Sequence, residues 1–407
     1  PAGTYKAVTW SAALTLFVAV GTNVCATSAN GTVWTLRLGM AVGDYLSVVW
    51  SAALALFVAI ADKIVTSVDG VVWTVNTQII THAWVAGTID AEPWKRVAWS
   101  PELRLFVAVG TNKAASSVDG KTWTSHAVPE ANQWIGVAWS PALGMFAAVS
   151  ADGTNRVMTS ANGTSWTART AAEANGWVAI AWSPELEIFA AVSIDGTNRV
   201  MTSANGILWT ARAAAEANPW YGIAWSPELL MFAAVAQTGT NRVMTSANGE
   251  TWAAHAAAEA NSWYGVAWSP ALGMFAAVSA DGTNRVMTST NGTAWTARAA
   301  AEANSYRSIC WSPELGLFVA IGYSGSYKAM TSANGTTWTA DTALEANNWF
   351  GLVWSPELGI FVATSADGTN RAAYWQPNTY TDLKAITWSG ALFAIVGANK
   401  CYSSANG

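Results

Sequence analysis

Two short patterns recur along the 407 residues and carry the side chains best suited to hold a polar ligand. The first is Glu-Ala-Asn-x-aromatic. It gives Glu130, Asn132 and Trp134; Glu173, Asn175 and Trp177; Glu216, Asn218 and Trp220; Glu259, Asn261 and Trp263; Glu302, Asn304 and Tyr306; and Glu345, Asn347 and Trp349. The second is Asp-Gly-Thr-Asn-Arg, ending in Arg156, Arg199, Arg285 and Arg371, with a variant ending in Arg242. An aromatic face can stack on the apolar side of a sugar ring. Glu and Asn can bond its hydroxyls, and Arg can grip a carboxylate in two-pronged fashion. Repetition would let several weak sites act together. The same residues have a structural reading: the aromatic seals an interface, the Asn holds a loop and the Glu pairs with the Arg.

Little else in the chain could do chemistry. Catalysis needs one asymmetric constellation in a defined geometry. The three histidines, His82, His126 and His255, fall in different repeats and match no metal-ligand spacing. No nucleophile elbow and no phosphate-cradling glycine loop is present. The arginines repeat symmetrically, so no unit has a special job. The sequence therefore points to a non-enzymatic protein with no cofactor and no metal, a sialidase-like glycoside hydrolase being the remaining enzyme reading. Charged residues are only 11% and the formal net charge is −5, which argues against a phosphate-gripping nucleic-acid binder. The longest apolar runs, such as 48–60, are too short for a membrane-spanning helix, and no signal peptide is visible. The three cysteines are far apart; Cys25 and Cys401 hold matching repeat positions that lie beyond disulfide reach if their strands diverge.

The elements that must position these residues follow from a Trp-Ser pair whose Trp recurs at 10, 50, 99, 139, 182, 225, 268, 311, 354 and 388. Units of about 40 residues, each with four short β-rich runs between Gly, Pro and Asn turns, fit the blades of a β-propeller. The expected fold is all-β: a single propeller of about ten four-stranded blades over 1–407, with nine as the alternative. Blades start near 5, 45, 94, 134, 177, 220, 263, 306, 349 and 383. Strands are labelled A to D, inner to outer. Strand B, as in Phe146-Ala147-Ala148-Val149, is apolar on both faces, so each sheet is sandwiched between neighbours. Alternation places the D–A and B–C loops, with both recurring patterns, on one face, here the top. Ser-Pro-Glu-Leu turns with Glu102, Glu185, Glu228, Glu314 and Glu357 lie on the bottom and read as structural. The stretch between Trp73 and Trp99, holding His82, Trp84, Asp90, Glu92 and Trp94, reads as a tolerated loop insertion. The unit at Trp354 has a D strand cut short near Gln376-Pro377-Asn378, and no pair of segments stands out as closing a ring.

The C–D turn carries Ser-x-(Asn/Asp)-Gly-x-x-Trp, with Trp34, Trp73, Trp123, Trp166, Trp209, Trp252, Trp295 and Trp338. Asn-Gly and Asp-Gly suit a two-residue hairpin turn with positive φ. This motif resembles the Asp-box (BNR-type) repeat of sialidase-like propellers, one residue tighter than the usual form, and that resemblance implies architecture rather than activity. The near-copy units also resemble recently amplified propellers of bacteria and viruses, including phage and environmental-virus structural proteins. The resemblance implies a virion-surface or extracellular role in adhesion, without membrane insertion. The expected function is a multivalent recognition module whose partner is a surface glycan. The alternative is a structural disc docking another structural protein.

Overall fold

A computed structural model describes residues 3–37, 40–41, 43–52, 54–61, 64–76, 84–341, 344–376, 383–388, 393–397 and 401–404. Among these residues there is no helix, and the strands form nine four-stranded sheets and one three-stranded sheet. Each sheet is antiparallel, and all but one are meanders of consecutive strands, as the alternation of β-rich runs and turns requires. The all-β propeller reading therefore holds.

The ten sheets divide between two compact units, Pro1–Thr81 with Pro377–Gly407, and His82–Gln376. The first unit holds three sheets, with inner strands Tyr5–Ser11, Ser47–Ser51 and Leu383–Trp388. Val18, Val20, Tyr45, Phe57, Val65 and Trp73 form its core. Cys25 is buried there and free, and its thiol is pushed up to about 11 by burial. His82 and the side chain of Cys401 lie outside the described residues.

In the second unit seven of the sheets form a closed circle. Its inner strands are Trp94–Ser100, Trp134–Ser140, Trp177–Ser183, Trp220–Ser226, Trp263–Ser269, Tyr306–Ser312 and Trp349–Ser355. Each contacts the next, and the last contacts the first. The apparent insertion before Trp99 is the closing element. Its strand Trp84–Gly87 pairs antiparallel with Ala372–Trp375, as the fourth strand of the sheet whose own D strand the sequence lacks. Register runs Trp84 to Trp375 and Gly87 to Ala372. The ten sheets agree with the expected count of about ten blades, and segments at the two ends of the second unit complete one of them.

The sheets stack through B strands with no exposed surface, such as Phe189, Ala190, Ala191 and Val192. From Trp10 to Trp354 the Trp of each Trp-Ser pair crosses to the Phe of strand B at 4.4–4.8 Å between ring centroids. At five of the seven junctions of the ring the indole N–H of this Trp reaches back to the Ser-Pro-Glu turn of the preceding blade. Trp139 donates to Glu102 at 2.6 Å, Trp354 to Glu314 at 2.6 Å, and Trp99 to Glu357 at 2.7 Å, the last bond spanning the closure. Trp225 and Trp268 donate likewise to Glu185 and Glu228. At the other two junctions of the ring Ala142 and Ala271 replace the Glu, and the Trp182 and Trp311 indole N–H groups are buried without a partner. Restoring the carboxylate with Ala142→Glu and Ala271→Glu is expected to stabilise the ring by about 1–2 kcal/mol each, the scale of a hydrogen bond to a charged group. Chemical denaturation of the two single variants and the double checks it. Midpoints at or below that of the parent protein would show that the junction does not accept the bond.

The Ser-x-(Asn/Asp)-Gly turn is a longer loop than the two-residue hairpin expected. In the first sheet strand C ends at Ser28 and strand D begins at Thr35. Ser28 Oγ accepts from Gly31 N at 2.9 Å, and Asn30 Oδ1 accepts from Thr32 N and Val33 N at 3.0 and 2.9 Å. The Trp34 indole N–H closes the loop on Gly31 O at 3.0 Å. Only the glycine takes positive φ, 74° at Gly31, so the side chains rather than a mirror-image turn fix the geometry.

Candidate axial binding site

The recurring top-face patterns are turned inward on their own loops. Trp134, Trp177, Trp220, Trp263, Tyr306 and Trp349 open the inner strands and are 0% exposed. Their rings therefore offer no face to a sugar, which corrects the stacking expectation. The Trp177 indole N–H donates to Glu173 O at 3.0 Å, four residues back, and the other Trp residues repeat this bond, Trp134 to Glu130, Trp220 to Glu216, Trp263 to Glu259 and Trp349 to Glu345. Asn175 is buried and its Nδ2 donates to Asn198 O at 2.6 Å; Asn132, Asn218, Asn261, Asn304 and Asn347 hold the corresponding carbonyls. A Cβ at Gly196, φ 87°, would fall 1.9 Å from Asn175 Oδ1, so this loop requires glycine.

The glutamates clamp the same loop. Glu173 accepts from Asn198 N at 3.1 Å and Asn198 Nδ2 at 2.6 Å, and Glu130, Glu216 and Glu259 do the same with Asn155, Asn241 and Asn284. Glu302 accepts from Ser326 N and Tyr327 N, and Glu345 from Asn370 Nδ2. Burial pushes the Glu173 carboxyl up, and the Asn198 bonds more than offset this, holding it below the usual carboxylate range. The arginines do not pair with these glutamates. Arg199 donates to Gly196 O and Ile194 O at 3.1 and 3.0 Å, and Arg156, Arg242, Arg285 and Arg371 cap their loops in the same way. The repeated set is thus brought together blade by blade into a loop brace.

A different set faces the axis. Between the first and third residues of each inner strand the register shifts, so the second residue is a β-bulge. Bulges re-aim a side chain out of the ladder. In the closed ring these residues are Lys95, Ile135, Val178, Tyr221, Tyr264, Arg307 and Phe350, one from each blade, and all seven line a single cavity of about 150 Å³ together with Arg96 and Gln133. Below it the third residues are small: Gly136, Ala179, Gly222, Gly265, Ser308 and Gly351. A Cβ on Gly222 would sit 2.5 Å from Tyr264 O on the next inner strand, so the ring is too tight for more. Arg96 is the one large residue at this level, and its guanidinium donates to Phe350 O across the closure.

Around this mouth the seven residues are unevenly spread. Tyr221 and Tyr264 meet edge to face at 4.7 Å. The Arg307 guanidinium lies 3.6 Å from the Tyr264 ring centre and 4.6 Å from that of Tyr323, and bonds the Tyr323 hydroxyl at 3.0 Å. Lys95 Nζ is 4.6 Å from the Phe350 ring centre. Ile135 and Val178 complete the circle on the side opposite Arg307. Among the described residues no carboxylate lies within 4 Å of Lys95, Arg96 or Arg307, and Arg307 Nε is buried without an acceptor. Burial, and then the charge of Arg307, pulls the Arg96 guanidinium down to about 10, so it stays charged at neutral pH. The mouth is a small, apolar-walled concentration of positive charge.

The repeat pattern held a signal for this set. The residue before the bulge is Trp in six blades and Tyr in one, whereas the bulge itself reads Lys, Ile, Val, Tyr, Tyr, Arg and Phe.

No family model matches the chain, and no curated protein matches it. Solved structures do. A streptogramin B lyase matches with a TM-score of 0.63 at 12% identity, covering 72% of this chain and 98% of that one. A structure described as YCF48 bound to D1 peptide matches with a TM-score of 0.54 at 13% identity, covering 72% and 94%. A chain of a mitotic checkpoint complex matches with a TM-score of 0.56 at 13% identity, covering 74% and 93%. At these identities the likeness establishes the fold. The covered share is close to what His82–Gln376 takes up of the chain.

Proposed function

We propose that the chain is a non-enzymatic docking module, and that another protein seats on the top face over the axial mouth. The observation that carries this reading is the ring of seven bulge residues, where near-identical blades present different side chains to a common cavity. Its lining supplies cations, phenols and apolar surface but no carboxylate, histidine or cysteine, which suits binding better than acid–base or nucleophilic work. The cavity is well below the roughly 300–1,000 Å³ of a small-molecule pocket, so it suits one group projecting from a larger body. The YCF48 structure bound to a peptide and the checkpoint assembly are propeller-fold neighbours in complex with partners, and they support a protein partner. A glycan partner loses its motivation once the repeated aromatics are buried. A setting on a virion or cell surface is part of this proposal and is motivated by the repeats' resemblance to viral and bacterial propellers.

Site-specific photo-cross-linking in the native cell tests this. A cross-linking residue at Val178, in the mouth, is expected to give a discrete protein adduct, and one at Asn205, on the opposite face, is not. Adducts from Asn205 alone, or none from Val178, would overturn the reading.

A further inference from the structure

We propose that the axial mouth takes the C-terminal end of a polypeptide, holding its terminal carboxylate against Arg307 and Lys95 and its last side chain against Ile135 and Val178. The inference rests on the docking reading and adds the chemistry of the bound group. Three observations meet here. Among the described residues no carboxylate stands within ion-pair distance of the cations, Asp367 acting on Lys95 only from further off, and the buried Arg307 Nε–H has no acceptor. The Arg307 guanidinium is held by Tyr264 and by the Tyr323 hydroxyl, which fixes the plane a carboxylate would meet and lowers the entropy lost on pairing. Finally, the polar and apolar arcs oppose each other. In a seven-membered circle the blade of Arg307 stands across from those of Ile135 and Val178. At a chain terminus the carboxylate and the last side chain diverge from one Cα, matching that opposition. An acidic side chain within a chain would have to bring two further peptide strands past the same opening, against a cavity of about 150 Å³.

The test is calorimetric titration of the full chain with three capped peptides. These are acetyl-Gly-Gly-Ser-Leu with a free carboxylate, the same peptide as its C-terminal amide, and acetyl-Gly-Ser-Glu-Leu-amide, which offers the acid on a side chain. The free acid is expected to bind about tenfold or more tighter than either amide, and Arg307→Gln is expected to abolish that preference, since a charge-assisted pair in an apolar setting contributes on that scale. Folding of the variant is checked by its unchanged unfolding midpoint. Lys95→Met provides a second variant, expected to weaken the acid and leave the amide unaffected. Equal binding of acid and amide, tighter binding of the internal glutamate peptide, or no binding of any peptide would each overturn the proposal. In those cases a Val178 protein adduct would leave the docking reading standing, whereas acid binding without any Val178 adduct would sink the docking reading alone.

Discussion

Trp177→Ala is expected to lower the unfolding free energy of the ring by about 3–5 kcal/mol, the cost of removing a fully buried large aromatic. The indole is 0% exposed and sits among Ala147, Val149, Val157, Ile180, Phe189, Ala191 and Met201, residues of two adjacent blades. Truncation opens a cavity at a blade interface whose backbone cannot easily collapse, because strand B on either side is already in contact. It also takes away the N–H that Glu173 O accepts at 3.0 Å. Arg199→Ala, on the same blade, is the matched control. That guanidinium caps loop carbonyls near the surface, so its loss is expected to cost about 1 kcal/mol or less. Guanidinium chloride unfolding followed by far-UV circular dichroism separates the two. If Trp177→Ala unfolds at the same midpoint as Arg199→Ala, the aromatic is not an interface seal, and the ligand-platform reading of the repeated pattern returns.

The contrast between these residues shows what a repeated sequence does and does not reveal. The Trp-Ser ladder, the two-faced B strands and the Asn-Gly loops follow from packing problems that every blade shares, and local pattern is enough to read them. Trp134, Asn132 and Glu130 recur for the same reason. Their constancy marks a brace needed once per blade, and repetition drew attention to them as ligands. The bulge residues are the opposite case. Lys95 and Arg307 stand at the same structural position as Ile135 and Val178, and only their difference, seen behind a nearly constant Trp, separates a mouth from a wall. That difference is visible along the chain, but the register shift that turns those side chains toward the axis is a property of strand pairing, which the alternation of residue types does not encode.

The closing pairing was illegible for a related reason. Ten near-equivalent units suggest ten sheets around one axis, and the sheets do form. Where the circle closes depends on one pairing, Trp84–Gly87 with Ala372–Trp375, across almost the whole unit. No local periodicity distinguishes a four-residue closing strand from an inserted loop, and the segment bears none of the turn motif that marks other D strands. The carboxylate–indole bond from Glu357 to Trp99 is a closure signal only once the partners are known to be neighbours.

Trp84→Ala is accordingly expected to damage the propeller far more than its place in a short edge strand suggests. The Trp84 indole is buried, lies 5.9 Å from the Trp375 ring and donates to Asp341 Oδ2 at 3.2 Å, so it ties the closing strand both to its own sheet and to the outer strand of the preceding blade. Removing it costs about 3–5 kcal/mol in packing. It also releases a strand whose pairing has a sequence separation of about 290 residues, where loop-closure entropy gives the least help once contacts are lost. The effect should be directional. Hydrogen exchange at Ala372–Trp375 is expected to rise by about a hundredfold or more. Amides of Val200–Ser203, an equivalent C strand three blades from that sheet, should change far less below the global unfolding transition. Trp177→Ala should reverse the pattern, exposing Val200–Ser203 and sparing Ala372–Trp375. If Trp84→Ala left the Ala372–Trp375 amides as protected as in the parent protein, strand Trp84–Gly87 would not be what closes the ring, and the seven-membered circle that brings the bulge residues to one mouth would need another fastening.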